Sequence, residues 1–196
     1  MMDREPRTQR GRNTLSKLLD AAVKEFGERG YHDAAIIGIT QRAGVALGSF
    51  YTYFQSKEEL YRELVRTLSR NTRHHVAEAV KGAPDRIAAE RAGLKAFIEF
   101  VREHRELYRI IEEAQFVAED VYREHYQSFA EGYRRGLGAA AERGEITNGD
   151  ADARGWALIG MSVFLGMRYA LWSDDLSADE VADMAAGMIG EGLRPR

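Results

Sequence analysis

Between residues 40 and 57 the sequence gathers side chains suited to a phosphate backbone: Thr40 and Gln41, then Leu47, Gly48, Ser49, Tyr51, Thr52 and Tyr53, then Lys57. Hydroxyls and phenols beside small residues permit close approach to a duplex and hydrogen bonds to phosphate oxygens. A second group could orient a small molecule. Phe97, Phe100, Tyr108, Ile111 and Tyr126 offer apolar surface, and His104, Glu112 and Gln115 sit among them with hydrogen-bonding capacity. Many of these aromatics would serve equally as ordinary core. Arg168, inside Phe164-Leu165-Gly166-Met167-Arg168-Tyr169, suits an anionic group, or equally a structural ion pair with Glu112. Catalytic patterns are missing. The five histidines (32, 74, 75, 104 and 125) form no Glu-x-x-His or His-Glu-x-x-His spacing, and there is no phosphate loop or Gly-x-Ser-x-Gly elbow. Gly136-Leu137-Gly138-Ala139-Ala140-Ala141 imitates a dinucleotide fingerprint but follows a helix rather than a strand. The expectation is a binding protein, not an enzyme, with no metal or cofactor.

Helical periodicity must position these groups. Leu15, Leu18, Leu19, Ala22, Val23 and Phe26 make one amphipathic stripe, and Gly30 stands where a left-handed C-cap would end it. Two short helices are predicted over 36–43 and 47–54, crossing steeply through Gly44, where glycine takes positive φ at no steric cost. Ile39, Ala43, Val45, Phe50 and Phe54 would then face inward. Ser56 with Glu59, and Ser177 with Glu180, are capping-box pairs that open later helices. Further helices are predicted over 85–102, 104–117, 119–143, 151–172 and 178–190. The fold class is all-α, about nine helices in all.

The 196 residues carry 28 basic and 31 acidic side chains, a formal net charge of −3, and no cysteine. The chain as a whole is therefore no polyanion-binding basic particle. Up to Lys57, however, nine basic residues outnumber six acidic ones, and the remainder is net negative. DNA contact is expected at the N-terminal end. Arg4, Arg7, Arg10 and Arg12 make a basic arm able to follow the backbone or enter the minor groove, or simply to aid solubility. No apolar signal or membrane span is present, so the expectation is a soluble cytoplasmic protein without a membrane partner.

Residues 14 to 64 resemble the DNA-binding region of the tetracycline-repressor (TetR) family. The resemblance rests on Phe26-Gly27-Glu28-Arg29-Gly30-Tyr31, Ala43-Gly44-Val45, Gly48-Ser49-Phe50-Tyr51-Thr52-Tyr53-Phe54 and Ser56-Lys57-Glu58-Glu59-Leu60, in this order. It implies a flexible basic arm over 1–12, a helix-turn-helix domain over 13–58 and a helical ligand-binding and dimerisation domain over 59–196. It further implies a regulator, most directly a repressor, that binds a palindromic operator in double-stranded DNA as a homodimer and is released by a small, largely apolar effector. The competing class is a helical protein–protein interaction module without specific DNA binding. Thr40 and Gln41 would flank the groove; Leu47, Gly48, Ser49 and Thr52 would face bases; Tyr51, Tyr53 and Lys57 would meet phosphates. The sequence departs from the family pattern at Ala34-Ala35, where a hydroxyl pair is usual, at Gly38, which replaces an acidic residue, and at Ala46 and Leu47, often Ser and Lys. Without a hydroxyl at Ala46 the third helix loses a cap worth about 1 kcal/mol.

Small residues recur every fourth position at Gly132, Gly136 and Ala140 and again at Ser162, Gly166 and Ala170. Such spacing lets helices approach closely. In the family the corresponding helices form a four-helix bundle with a second subunit, so these six residues are the expected dimer interface; close packing inside one subunit is the alternative.

Overall fold

The computed structural model describes residues 8–194. Over these residues the chain forms α1 (Gln9–Asp33), α2 (Ile36–Ala43), α3 (Leu47–Tyr53), α4 (Lys57–Ala79), α5 (Arg86–Glu103), α6 (Glu106–Val117), α7 (Glu119–Glu142), α8 (Ala151–Gly166) and α9 (Ala178–Leu193), with no strand among the described residues. A six-residue π-helical turn, Met167–Trp172, extends α8. The start signals are local. Thr8 accepts from the Gly11 amide, Asp85 from Ala88 and Asp150 from Asp152 and Ala153. Ser177 and Glu180 form the full capping box. Ser56 accepts from the Glu59 amide at 3.1 Å, while the Glu59 carboxylate reaches one residue further back, to the Gln55 amide at 2.5 Å. The arm expected over 1–12 is helical from Gln9 onward, which places Arg10 and Arg12 on α1; Arg4 and Arg7 lie outside the described residues.

The chain divides into two compact units, one built from residues up to 69 with 106–123, the other from 70–105 with 124 onward. The boundary therefore falls inside α4 rather than after residue 58, and α6 goes with the N-terminal helices. The reason is a dense α1–α6 contact. Tyr61 donates to the Ile110 carbonyl at 2.5 Å, the Glu113 carboxylate accepts from the Tyr31 amide at 2.9 Å, and Arg109 donates to the carbonyls of Gly27 and Glu28. A Cβ at Gly27 would meet the Glu106 side chain at 2.5 Å. Gly30 takes positive φ (79°) and leaves the helical conformation, so α1 kinks there before its last residues to Asp33. In this unit Leu18, Phe26, Ile39, Phe50, Phe54, Leu60 and Tyr61 are fully buried. Burying side chains of this size stabilises the unit by roughly 1.5–3 kcal/mol each.

In the second unit α5 packs against α9 and against α8 with its π turn. Ile87, Leu137, Ala140, Ile146, Leu158, Ala186, Ile189 and Leu193 form its core. Arg102 braces the π turn by donating to the carbonyls of Tyr169 (2.8 Å) and Leu176 (2.6 Å). Among the described residues no helix is long and apolar enough to cross a membrane.

Candidate functional site

Helix α3 is two-faced. Phe50 and, just past its end, Phe54 are fully buried, whereas Leu47, Gly48, Tyr51 and Thr52 are exposed and Ser49 and Tyr53 are half-buried. Gly44 closes α2 in the left-handed conformation (φ 65°), and its amide returns to the carbonyls of Gln41 and Thr40. That sharp turn sets the two helices across each other. Ala46 supplies no side-chain cap to α3, as its missing hydroxyl requires. A Cβ at Gly48 would meet nothing within 4 Å. The exposed row of Gln41, Leu47, Gly48, Tyr51 and Thr52 is thus flat enough for a groove.

An ion cluster holds α2 against α1. Glu25 is buried and receives Arg42 at 2.7 Å and Arg29 at 3.2 Å, while Arg42 also pairs with Glu28. Hydrogen bonding to Arg42 holds the Glu28 carboxyl below its ordinary range. At Gly38 the Glu25 carboxylate fills the space that a side chain would enter.

Two of the expected DNA contacts are otherwise engaged. Thr40 is only 3 % exposed and donates to the Ile37 carbonyl at 3.0 Å. Its hydroxyl stabilises α2 and is not presented to a groove. The Lys57 ammonium folds back onto the end of α1, where it donates to the carbonyls of Tyr31 (2.6 Å), His32 (3.1 Å) and Ala34 (2.8 Å). It also lies 4.5 Å from the centre of the Tyr31 ring. Lys57 thus clasps the end of α1, and its bond to Ala34 ties down the stretch before α2, whose N-cap Ala35 has no side-chain cap.

The second unit contains a cavity of about 420 Å³, within the range usual for small-molecule sites. Helices α4, α5, α7 and α8 line it. Its apolar wall includes Val76, Val80, Phe97, Phe129, Ile159 and Val163, and its polar groups include Arg73, Arg86, Glu90, His125, Tyr133 and Ser162. Glu90 is buried and ion-paired to Arg86, which lies over the Tyr133 ring. Burial pushes the Glu90 carboxyl up, against the opposing pull of Arg86. The Tyr133 hydroxyl is hydrogen-bonded to Glu90 and Ser162, and burial raises its pKa. Burial, helped by the positive charge of Arg73, pushes His125 down to about 4.

With this geometry in place, the comparisons with known proteins are direct. Residues 18–64 match the family model described as "Bacterial regulatory proteins, tetR family". The match takes in α2 and α3 with parts of α1 and α4. The tetR-family segment and its continuation are similar to the HTH-type transcriptional activator FasR of Mycolicibacterium smegmatis, 35% identical over 117 residues, which are 60% of this chain and 52% of that one. The chain spans about half the length, or less, of the curated relatives it matches. Across nearly the whole chain the tetR fold recurs in a TetR family transcription regulator from Marinobacter aquaeolei VT8 (TM-score 0.78, 19% identity, 96% of this chain and 99% of that one). It recurs also in AibR in complex with isovaleryl coenzyme A and operator DNA (TM-score 0.70, 18% identity, 89% and 97%).

Within the chain the expected ligand residues scatter. Phe97 and Tyr126 line the cavity. Phe100 and His104 instead stack in a row with His75, ring centres 4.9 and 4.7 Å apart, and do not line it. Tyr108, Ile111, Glu112 and Gln115 all stand on α6, in the N-terminal unit. Ile111 is buried there, Gln115 is exposed, and burial raises the pKa of Tyr108 and Glu112. Arg168 is paired with Asp175 at 3.1 Å and stacks on its neighbour Tyr169, so it neither reaches the cavity nor pairs with Glu112.

The small-residue stripes are divided: Gly132 is exposed, Gly136 and Ser162 are half-buried, and the others are buried. Ala140 and Ala170 are fully buried within the subunit, and Gly166 is buried as well. A Cβ at Gly136 would overlap the Arg86 guanidinium, and Gly132 and Ser162 line the cavity. Ala140, Gly166 and Ala170 thus make room for the core of their own subunit, and Gly132 and Ser162 border the cavity. The sequence reading missed Arg73, Arg86, Glu90, His125, Phe129 and Tyr133. Two signals were present, the Arg86–Glu90 i,i+4 pair and the run His125, Phe129, Tyr133 at four-residue steps on α7.

Proposed function

We propose that the chain is a ligand-responsive transcriptional regulator, acting as a repressor, that binds a two-fold operator as a homodimer and leaves it when a small, largely apolar effector enters the cavity. The observation that carries this reading is α3 itself. Its apolar side is sealed by Phe50 and Phe54, and its other side offers Leu47, Gly48, Tyr51 and Thr52 to solvent. A recognition helix needs that division, and its early residues lie nearest base edges in the major groove. Leu47 suits a thymine methyl. Tyr51, Tyr53 and Ser49 suit phosphates, and Gln41 flanks them from α2.

Dimerisation is supported by a different surface from the small-residue stripes. On α8, Trp156 and Phe164 are exposed with Gly160 between them, and on α9 Met184 and Met188 are exposed. Phe164 is 66 % and Met188 68 % accessible, a cost that a second copy of the chain would remove. The cavity supports the effector. The complex of AibR with isovaleryl coenzyme A and operator DNA supports the pairing of both functions in one fold. Helix α4 carries residues of each unit, so it is one covalent path between cavity and DNA-binding face.

Fluorescence anisotropy of purified protein against the DNA upstream of its own gene and against an unrelated duplex tests this. The expected result is tighter binding to the upstream DNA by two chains per site, weakening steeply as salt rises. No binding to either duplex at low salt would replace the reading with that of a protein-interaction module.

A further inference from the structure

The face that α2 and α3 turn to solvent is nearly without charge. From Ala34 to Ser56 the only charged side chain is Arg42. It is bound to Glu25 at 2.7 Å and to Glu28 as well. Lys57, the next cation along the chain, donates to three carbonyls at the end of α1. What stands outward is apolar or hydroxylic. Ile37 is 57 % exposed on α2, and Leu47 and Tyr51, one turn apart on α3, are 43 % and 50 % exposed. Thr52 returns its hydroxyl to the Gly48 carbonyl at 3.4 Å.

Such a face limits which bases it can read. Guanine is read by a bidentate Arg or Lys, cytosine by a carboxylate, and adenine by Asn or Gln. Helix α3 carries none of these residue types. On α2 the exposed amide of Gln41 can make such a pair, and its base is adenine. Thymine offers something different, a C5 methyl that projects into the major groove and packs against apolar side chains. Leu47 is the first residue of α3, and the early residues of a recognition helix lie nearest the base edges. Packed on a methyl, an exposed leucine leaves water and gains contact. Against the amino group of cytosine it would displace water from a donor and give no bond in return.

We propose that Leu47 selects thymine through its C5 methyl, so that each operator half-site carries an A·T pair where the start of α3 enters the major groove. Ile37 adds exposed apolar surface on α2, and Gln41, suited to adenine, favours the same kind of pair. This inference rests on the reading of α3 as the recognition helix and names what that helix recognises.

Selection of binding sequences from a pool of random duplexes by the full chain, followed by uracil replacement in the recovered duplex, tests it. Uracil keeps the pairing and the phosphates of thymine and removes only the methyl. The expected product of selection is a two-fold symmetric sequence with thymine at related positions in both half-sites. The same duplex made with uracil is expected to bind at least about tenfold more weakly. Leu47→Ala is expected to weaken binding to the thymine duplex and to abolish the difference between the two. Leu47→Met, which keeps an apolar tip, is expected to preserve that difference. Equal binding of the parent to both duplexes would overturn the proposal. So would a uracil penalty that persists undiminished in Leu47→Ala, because the methyls would then act through duplex shape or another residue. Failure to enrich any sequence would overturn the operator-binding reading itself, and this inference with it.

Discussion

The ammonium of Lys57 sits 4.5 Å from the ring centre of Tyr31 and donates to the carbonyl of that same residue at 2.6 Å. The first residue of α4 thereby locks the last turn of α1. Replacing it strands three carbonyls that have lost their partner, a loss of about 1–3 kcal/mol. Lys57→Met is accordingly expected to lower the thermal midpoint by several degrees. A phosphate contact would behave differently: the midpoint would hold, and the salt slope of DNA binding would fall by about 1. Differential scanning calorimetry beside the anisotropy titration separates the two.

Gly48 gives a cleaner probe of the DNA face. With nothing within 4 Å of its Cβ position, Gly48→Ala fits the free protein and removes the glycine penalty, a gain of roughly 0.5–1 kcal/mol. On the operator the added methyl stands between helix and groove. The variant is expected to melt higher and bind DNA at least tenfold more weakly. Tyr51→Ala, at a side chain 50 % exposed, is expected to weaken DNA binding with little change in melting. Binding unchanged in both variants would remove α3 from the interface.

Much of this was legible in the sequence, and the reason is local physics. Helix ends at Ser177, Gly44 and Asp85 are written in capping side chains and a positive φ, so the elements fall within a few residues of where periodicity puts them. The inward pair Phe50 and Phe54 follows from i,i+4 spacing, and that fixes which side of α3 is free. The clasp was not legible, because the three carbonyls that hold Lys57 belong to residues 31, 32 and 34 and become adjacent only on folding. The cavity was hidden for the same reason. Arg73, Glu90 and His125 stand on three helices, and whether an aromatic such as Phe129 fills a core or lines a hole depends on helix separation. Four-residue stripes of small side chains look the same whether they face a partner or their own subunit, and Ala140 and Gly136 face their own. The π turn at Met167–Trp172 leaves the apolar periodicity of α8 uninterrupted and so announces itself nowhere.

His125 makes stability depend on pH. Its folded pKa is about 4, against an ordinary value of 6.5, so the unfolded chain binds the extra proton first as pH falls. Stability is therefore lost between 6.5 and about 4, on the order of 3 kcal/mol at most at 1.36 kcal/mol per unit. The charge that acts on it is that of Arg73 on α4, which adds to the effect of burial. His125→Gln is expected to flatten urea midpoints measured from pH 7 to pH 5 relative to the parent. An unchanged slope would show that His125 titrates normally.

The exposed apolar row on α8 and α9 leads to a hydrodynamic prediction. Phe164→Glu combined with Met188→Glu is expected to convert a dimer to a monomer in sedimentation velocity and to break two-chain binding on the operator, with helicity by circular dichroism retained. Persistence of the dimer would move the interface elsewhere.

Gly38 and Glu25 carry a consequence for how such a domain can change through time. The Glu25 carboxylate of α1 reaches across to α2 and occupies the volume a side chain at 38 would claim. The two positions therefore behave as a single heritable character. A lineage that gains a side chain at 38 before shortening residue 25 passes through a crowded, weakened intermediate, with Arg42 losing its buried partner. One that trims Glu25 first avoids that crowding but loses the ion pairs that hold α2 against α1. Order of mutation, and not only its outcome, decides which neighbouring sequences this domain can reach.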